Sequence, residues 1–312
     1  MPILRLNAGA KGLVLDGSPA AALSAIRTAA TGAGPVIVMI HGYKYDPNSI
    51  GYSPHASIFA YRHHPDRPRQ VPWMRHMGFG TGNRDEGLAI AFGWRARGNL
   101  WRARHSARQA GQQLAFAIAE IHRLAPTRPI HAITHSMGSE VIFEALTALP
   151  AGALHRIVAL TGASYASDAF AAMQSRAGRH SELINVTSRE NDLFDFMFER
   201  LMPAPVPGDR AMGVGLGLRN AVTLQLDCPQ SLAMLTRFGG HIAEPMRRVC
   251  HWSGYTRPGA LRFYAHALRH PEAVDLSDLK RELPAHYGPR WSRTFARPNL
   301  PLPLPMAGKA AS

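Results

Sequence analysis

The run Pro35–Ile40, PVIVMI, is apolar at every position. A strand with one wet face alternates apolar and polar residues. A run without alternation is covered on both faces, as an interior strand is in a parallel sheet flanked by helices. A second run of this kind is Leu88–Phe92, LAIAF, and further short strands are expected at Ile130–Thr134, Ile157–Leu160, Leu183–Thr187 and Ala221–Leu226. Helical stretches separate them. Leu100–Leu124 carries Leu114, Ile118, Ile121 and Leu124 at helical spacing, a helix over about Ser139–Leu149 stops at Pro150, and Gly259–Arg269 is the last good helix. Strands alternating with helices predict an α/β fold built on a mostly parallel, doubly wound sheet. At the N-terminus, Ile3–Asn7 and Gly12–Asp16 predict a hairpin or edge strands, after which Ser18 is expected to cap an alanine-rich helix ending near Gly32-Ala33-Gly34.

With 312 residues, 46 % of them hydrophobic, the chain can bury one large core. The expected organisation is a single domain over 1–297 with cap insertions at about 44–86 and 193–220. A proline-rich, extended tail would follow at 298–312. No apolar run approaches the about 20 residues that span a bilayer. The first residues lack a basic start followed by a continuous apolar stretch, so the expected location is cytoplasmic. Two cysteines, Cys228 and Cys250, supply neither a zinc site nor a disulfide framework.

The net charge of +14 comes almost wholly from arginine, scattered except for a concentration at Arg95–Arg108. That pattern suits a solvated surface with weak attraction to anionic surfaces, and no specific nucleic acid is expected. The stretch His63-His64-Pro65-Asp66, with His55 and His76, fits no metal-ligand spacing and reads as solvated loop. Gly213-Val214-Gly215-Leu216-Gly217 follows no strand and opens no helix, so it is loop rather than a dinucleotide turn. Neither a metal nor a cofactor is expected, and the oligomeric state is not legible.

The segment IHAITHSMGSEV, Ile130–Val141, changes from strand to helix at Thr134-His135-Ser136-Met137-Gly138. A serine hydroxyl becomes a nucleophile only when it is presented to the substrate beside a base, and a sharp strand–turn–helix elbow does the presenting. The turn demands small neighbours at two residues before and after. Gly138 meets that demand, whereas Thr134 is bulkier than the usual glycine. The competing role for Ser136 is a helix cap, but Glu140 lies one residue too far on to complete a capping box. Upstream, a buried strand ends in His41-Gly42-Tyr43. Such an end can supply a second backbone N–H, from Tyr43, to join that of Met137 around an oxyanion.

In VIVMIHGY, IHAITHSMG, NVTSREND and CHWSGY the chain resembles the α/β-hydrolase superfamily, over roughly residues 35–270, and within it the lipase/esterase-like serine hydrolases. The resemblance implies a chain order of nucleophile, acid, histidine. Asp192, just past the strand Leu183–Thr187, is the expected acid, with Glu190, Asp195 and Asp168 as alternatives; Asp192 could equally cap a helix beginning at Leu193. His251 is the expected base and His241 the alternative. His41, Gly42 and His135 are expected beside the substrate. The Arg95–Arg108 stretch could steer anionic substrates or form a solvated helix face. Aromatic and methionine side chains at 45–79 and 194–202 could wall an acyl pocket or simply be cap core. The expected activity is hydrolysis of a carboxylic ester, a small-molecule acyl substrate, through Ser136, His251 and Asp192. An acyltransferase or thioesterase would use the same triad, and a non-catalytic binding protein would keep only the fold.

Overall fold

The structure is a computed structural model that describes residues 3–62, 71–83 and 85–284. The strands are β1 (Ile3–Gly9), β2 (Gly12–Leu15), β3 (Ser18–Ala21), β4 (Val36–Ile40), β5 (Leu88–Gly93), β6 (Ile130–His135), β7 (Arg156–Leu160), β8 (Glu182–Thr187) and β9 (Ala221–Gln225). The helices are α1 (Ala22–Ala30), α2 (Trp73–His76), α3 (Leu100–Leu124), α4 (Gly138–Ala148), α5 (Ala166–Met173), α6 (Asp192–Leu201), α7 (Pro229–Thr236), α8 (Ser253–Thr256), α9 (Ala260–Arg269) and α10 (Leu276–Glu282). Strand order across the sheet is β3-β2-β1-β5-β4-β6-β7-β8-β9. From β1 to β9 every pairing is parallel, and only β2 and β3 run antiparallel at one edge.

The unbroken apolarity of β4 has the cause read from the sequence. Val36, Val38 and Ile40 face a core shared with α1, α3, α4 and α5, where Ile26, Ile118 and Val141 are buried. Ile37 and Met39 face a second core under α2, α7, α9 and α10, with Trp73, Leu235, Phe263 and Leu279. Successive side chains of a strand point to opposite faces, so both sets must be apolar once helices cover both sides.

One expected boundary is corrected. Ser18 does not cap a helix: Ser18–Ala21 is the edge strand β3, with Val14 opposite Ala21 and Leu15 opposite Ser18. Its Oγ accepts from the N–H of Ala20, and α1 starts at Ala22 with no side-chain cap. Among the described residues, no helix is long and apolar enough to cross a membrane.

Candidate active site

Ser136 follows β6 and has φ of 54°, one of three non-glycine residues with positive φ among the described residues. An L-residue in this region carries a conformational cost, borne only where the surrounding structure dictates it. Here the dictating bonds are Ser136 N–H to the Leu160 carbonyl (3.0 Å), and the Ser136 carbonyl accepting from both Ser139 and Ala163 N–H (3.0 Å each). The Ser136 hydroxyl makes no hydrogen bond with any other described residue and does not cap α4, whose N-cap position is Met137.

Two glycines make the elbow sterically feasible. A β-carbon on Gly138 would overlap the Thr134 hydroxyl and lie 2.6 Å from the His41 carbonyl. Threonine is therefore accommodated before the serine because its hydroxyl occupies the space that Gly138 leaves. That hydroxyl is buried and has no hydrogen-bond partner. A β-carbon on Gly42 would lie 2.7 Å from the Ser136 β-carbon and 2.9 Å from the His135 carbonyl. The turn after β4 thus touches the serine itself.

His41 sets the orientation of that turn. Its Nε2 receives the Trp94 N–H (3.0 Å), so Nδ1 must carry the proton and donate it to the Gly42 carbonyl (2.9 Å). Holding that carbonyl turns the N–H of the same peptide, that of Tyr43, the opposite way. Neither Tyr43 nor Met137 N–H has an acceptor among the described residues, although Met137 is buried. His41 is fully buried and stacks on Trp94, and burial pushes its pKa down to about 3. Its buried ring supports the turn from behind, with both nitrogens occupied by backbone groups.

His251 lies in the loop before α8. Its carbonyl accepts from His135 Nε2 (3.1 Å) and from Thr161 Oγ1 (3.1 Å), which ties this loop to the ends of β6 and β7. Its ring is 4.7 Å from the ring of His135, the residue next to Ser136, and 4.8 Å from that of Phe194, which stacks on it. Burial, then the neighbouring His135, hold its pKa well below the usual histidine value. His135 itself is buried, its pKa lowered to about 4 by desolvation, with Tyr255 edge-on at 4.9 Å. It is a brace between the serine loop and the histidine loop.

The side chain on His251 Nδ1 is the amide of Asn191, one residue before the expected acid Asp192. His251 Nδ1 donates to Asn191 Oδ1 at 2.6 Å, and Asn191 Nδ2 in turn donates to Asp195 Oδ1 at 2.9 Å. Asp192 is fully buried as the first residue of α6. Neighbours i and i+1 on a helix face different directions, whereas i and i+4 share a face, so 191 pairs with 195 and not through 192. The spacing N-x-x-x-D at the start of an amphipathic helix was the available signal. The alternatives lie elsewhere. Glu190 forms a buried ion pair with Arg257 and accepts from Ser188 Oγ. Asp168 binds Arg104 at 2.6 Å, and Arg104 also reaches Glu140 at 3.2 Å. The basic stretch of α3 therefore includes a structural arginine. His241 is exposed.

Most of the aromatic side chains at 59–79 are core. Phe59, Trp73, Met74, Met77 and Phe79 are fully buried against α9. Phe198 and Met202 form a small cluster with Tyr165. Phe194 of the second set stacks on the candidate base. His63, His64 and Asp66 lie outside the described residues, as does the tail at 298–312. Among the described residues no group of three or more histidine, cysteine or acidic side chains could hold a metal.

A nine-stranded, mostly parallel sheet with helices on both faces, carrying a strand-to-helix turn with a serine at its tip, decides the fold. The fold is that of the α/β-hydrolases. Residues 20–164 match the family described as "Alpha/beta hydrolase of unknown function (DUF900)", a span that includes β4, the elbow and α4. Among solved structures the chain is similar to an acylaminoacyl peptidase from Pyrococcus horikoshii, at 12 % identity and a TM-score of 0.34. The match covers 84 % of this chain and 39 % of that one, so the chain spans about two fifths of that protein's length. No curated protein matches the chain.

Proposed function

We propose that this α/β-hydrolase-fold chain is a serine hydrolase of carboxylic esters. The observation that carries the reading is the strained, hydrogen-bond-free Ser136 with Gly42 packed on its β-carbon. In the proposed reaction Ser136 Oγ attacks the acyl carbon while its proton passes to His251 Nε2. Negative charge collects on the former carbonyl oxygen, beside the unoccupied N–H groups of Met137 and Tyr43 and the N-terminus of α4. The bond to the leaving alkoxide breaks, and the imidazolium returns its proton to that oxygen. Water then attacks the acyl-serine, giving its proton to His251, and the carboxylic acid leaves as Oγ regains a proton.

An ester rather than an amide is proposed because Nδ1 of His251 rests on a neutral amide. A carboxylate in contact would stabilise the imidazolium more strongly; a weaker partner suits acyl groups with better leaving groups. A thioesterase or acyltransferase would share each step and differ only in the group that leaves or accepts. The neutral amide also motivates a second reading, a binding protein that retains the fold without turnover. Treatment with a fluorophosphonate probe separates these. Ester hydrolysis requires labelling of the wild type and none of Ser136→Ala. Labelling that persists in Ser136→Ala removes this serine as the nucleophile, and a folded wild type that never labels favours the binding protein. Among labelled outcomes, an acyl-ester panel run with competing alcohols and thiols distinguishes hydrolysis from transfer.

A further inference from the structure

The series His251–Asn191–Asp195 has a direction that hydrogen-bond chemistry fixes. A carboxylate can only accept, so the Asn191 group facing Asp195 must be the NH₂, as the 2.9 Å bond from Nδ2 has it. That choice leaves Asn191 Oδ1 facing His251. An amide oxygen can only accept, so His251 must carry its hydrogen on Nδ1, across the 2.6 Å contact. A neutral imidazole protonated on Nδ1 has a bare Nε2, the form that can take a proton from a serine. Asn191 and Asp195 are both nearly fully buried, so water does not readily substitute for either partner.

We propose that Asp195 is a positioning residue that selects the tautomer of His251 from two hydrogen bonds away, by locking the orientation of the Asn191 amide. This rests on the reading of His251 as the base, and it adds a fourth member to the site. Without an acceptor-only group at 195, the amide is free to rotate by half a turn. Its NH₂ would then face Nδ1, Nδ1 would become the acceptor, and the proton would move to Nε2, where it blocks proton transfer from Ser136. The other groups around the ring do not fix the tautomer. From β6, His135 donates its Nε2 proton to the backbone carbonyl of residue 251; Phe194 of α6 and Trp252 meet the ring by their faces or edges; Tyr255 of α8 contacts His135.

The test is an exchange of the two side chains. Asp195→Asn should lower the rate of fluorophosphonate labelling of Ser136 by up to about 10⁴-fold, the loss seen where a base is left in the wrong tautomer. The KM for an ester should change little. Adding Asn191→Asp to that variant places an acceptor-only carboxylate directly on Nδ1 and should restore most of the lost rate. Asp195→Asn labelling at the wild-type rate, or a double variant no faster than the single one, overturns the proposal. Should Asp195→Asn not fold, nitrogen NMR of histidine-labelled wild type, with His251 assigned by its absence in His251→Gln, gives the answer. A protonated Nδ1 with a bare Nε2 supports the assignment, and a protonated Nε2 in the neutral ring overturns it. The NMR result is independent of turnover. A wild type that is never labelled yet shows the Nδ1 tautomer would sink the hydrolase reading while leaving the relay intact.

Discussion

Gly42 and Ser136 are joined by contact rather than by a hydrogen bond, and this makes the glycine testable in isolation. Alanine at 42 would bring a β-carbon to 2.7 Å from that of Ser136 and 2.9 Å from the His135 carbonyl oxygen, closer than a β-carbon approaches without displacement. The turn would have to retreat by a few tenths of an ångström, carrying the Tyr43 N–H with it. Loss of one aligned oxyanion donor typically lowers kcat by about 10²–10³-fold, and overpacking costs about 1–3 kcal/mol of stability. Gly42→Ala should therefore remain folded, melt lower and label Ser136 far more slowly than wild type. Labelling at the wild-type rate would mean that this turn takes no part in the reaction.

The turn between β8 and α6 holds Asn191 in place through a buried ion pair from a distant loop. Arg257, from the α8–α9 junction, binds Glu190 and donates to the Leu226 carbonyl at 2.7 Å; both charged side chains are 5 % exposed. Removing one member of such a pair strands the other charge, at a cost of about 3–5 kcal/mol, whereas removing both can be close to neutral. Arg257→Met should thus lower the urea midpoint steeply and Arg257→Met/Glu190→Gln should recover much of it; equal losses in both would show that the pair is not what stabilises this turn. The pair also explains where the sequence stopped being legible. The order of strands and helices and the strand–turn–helix elbow could be read because each has a local pattern: apolar runs, a periodicity change and a glycine two residues past the serine. The partner of His251 could not. Asp192 and Asn191 are adjacent in sequence, and the choice between them depends on the rotation at which α6 leaves the turn. That rotation is set by Glu190 meeting an arginine 67 positions later. The edge strand β3 escaped for a similar reason, since Ser-Pro-Ala-Ala has no strand pattern of its own and is placed by its pairing with β2.

Histidines kept neutral by burial link the stability of the molecule to its chemistry. Desolvation lowers His41 and His131 to about 3 and His135 to about 4, and it lowers His55 and His251 as well. In the unfolded chain each would take up a proton near pH 6.5, so unfolding binds protons and stability falls as pH drops below that value, down to the folded-state values. At pH 5 a histidine lowered to 3 or 4 costs about 2 kcal/mol. Three such residues total about 6 kcal/mol, comparable with the whole stability of about 5–15 kcal/mol for an ordinary domain. The chain should therefore unfold cooperatively between about pH 6.5 and 4. Because burial also holds His251 well below the usual histidine value, the acidic limb of kcat/KM should report unfolding rather than titration of the proposed base. His131 provides the means to separate the two. Both of its ring nitrogens are buried without a hydrogen-bond partner, and its ring lies 5.8 Å from that of His155, at the end of β6 remote from Ser136. His131→Leu should raise stability at pH 7 by about 1–3 kcal/mol and move the acid-unfolding midpoint, followed by tryptophan fluorescence, to lower pH. The acidic limb of kcat/KM should move with it by the same amount. A limb that stays in place while the unfolding midpoint shifts would assign that limb to a titrating group in the site, and His251 would then be far more basic than its burial implies.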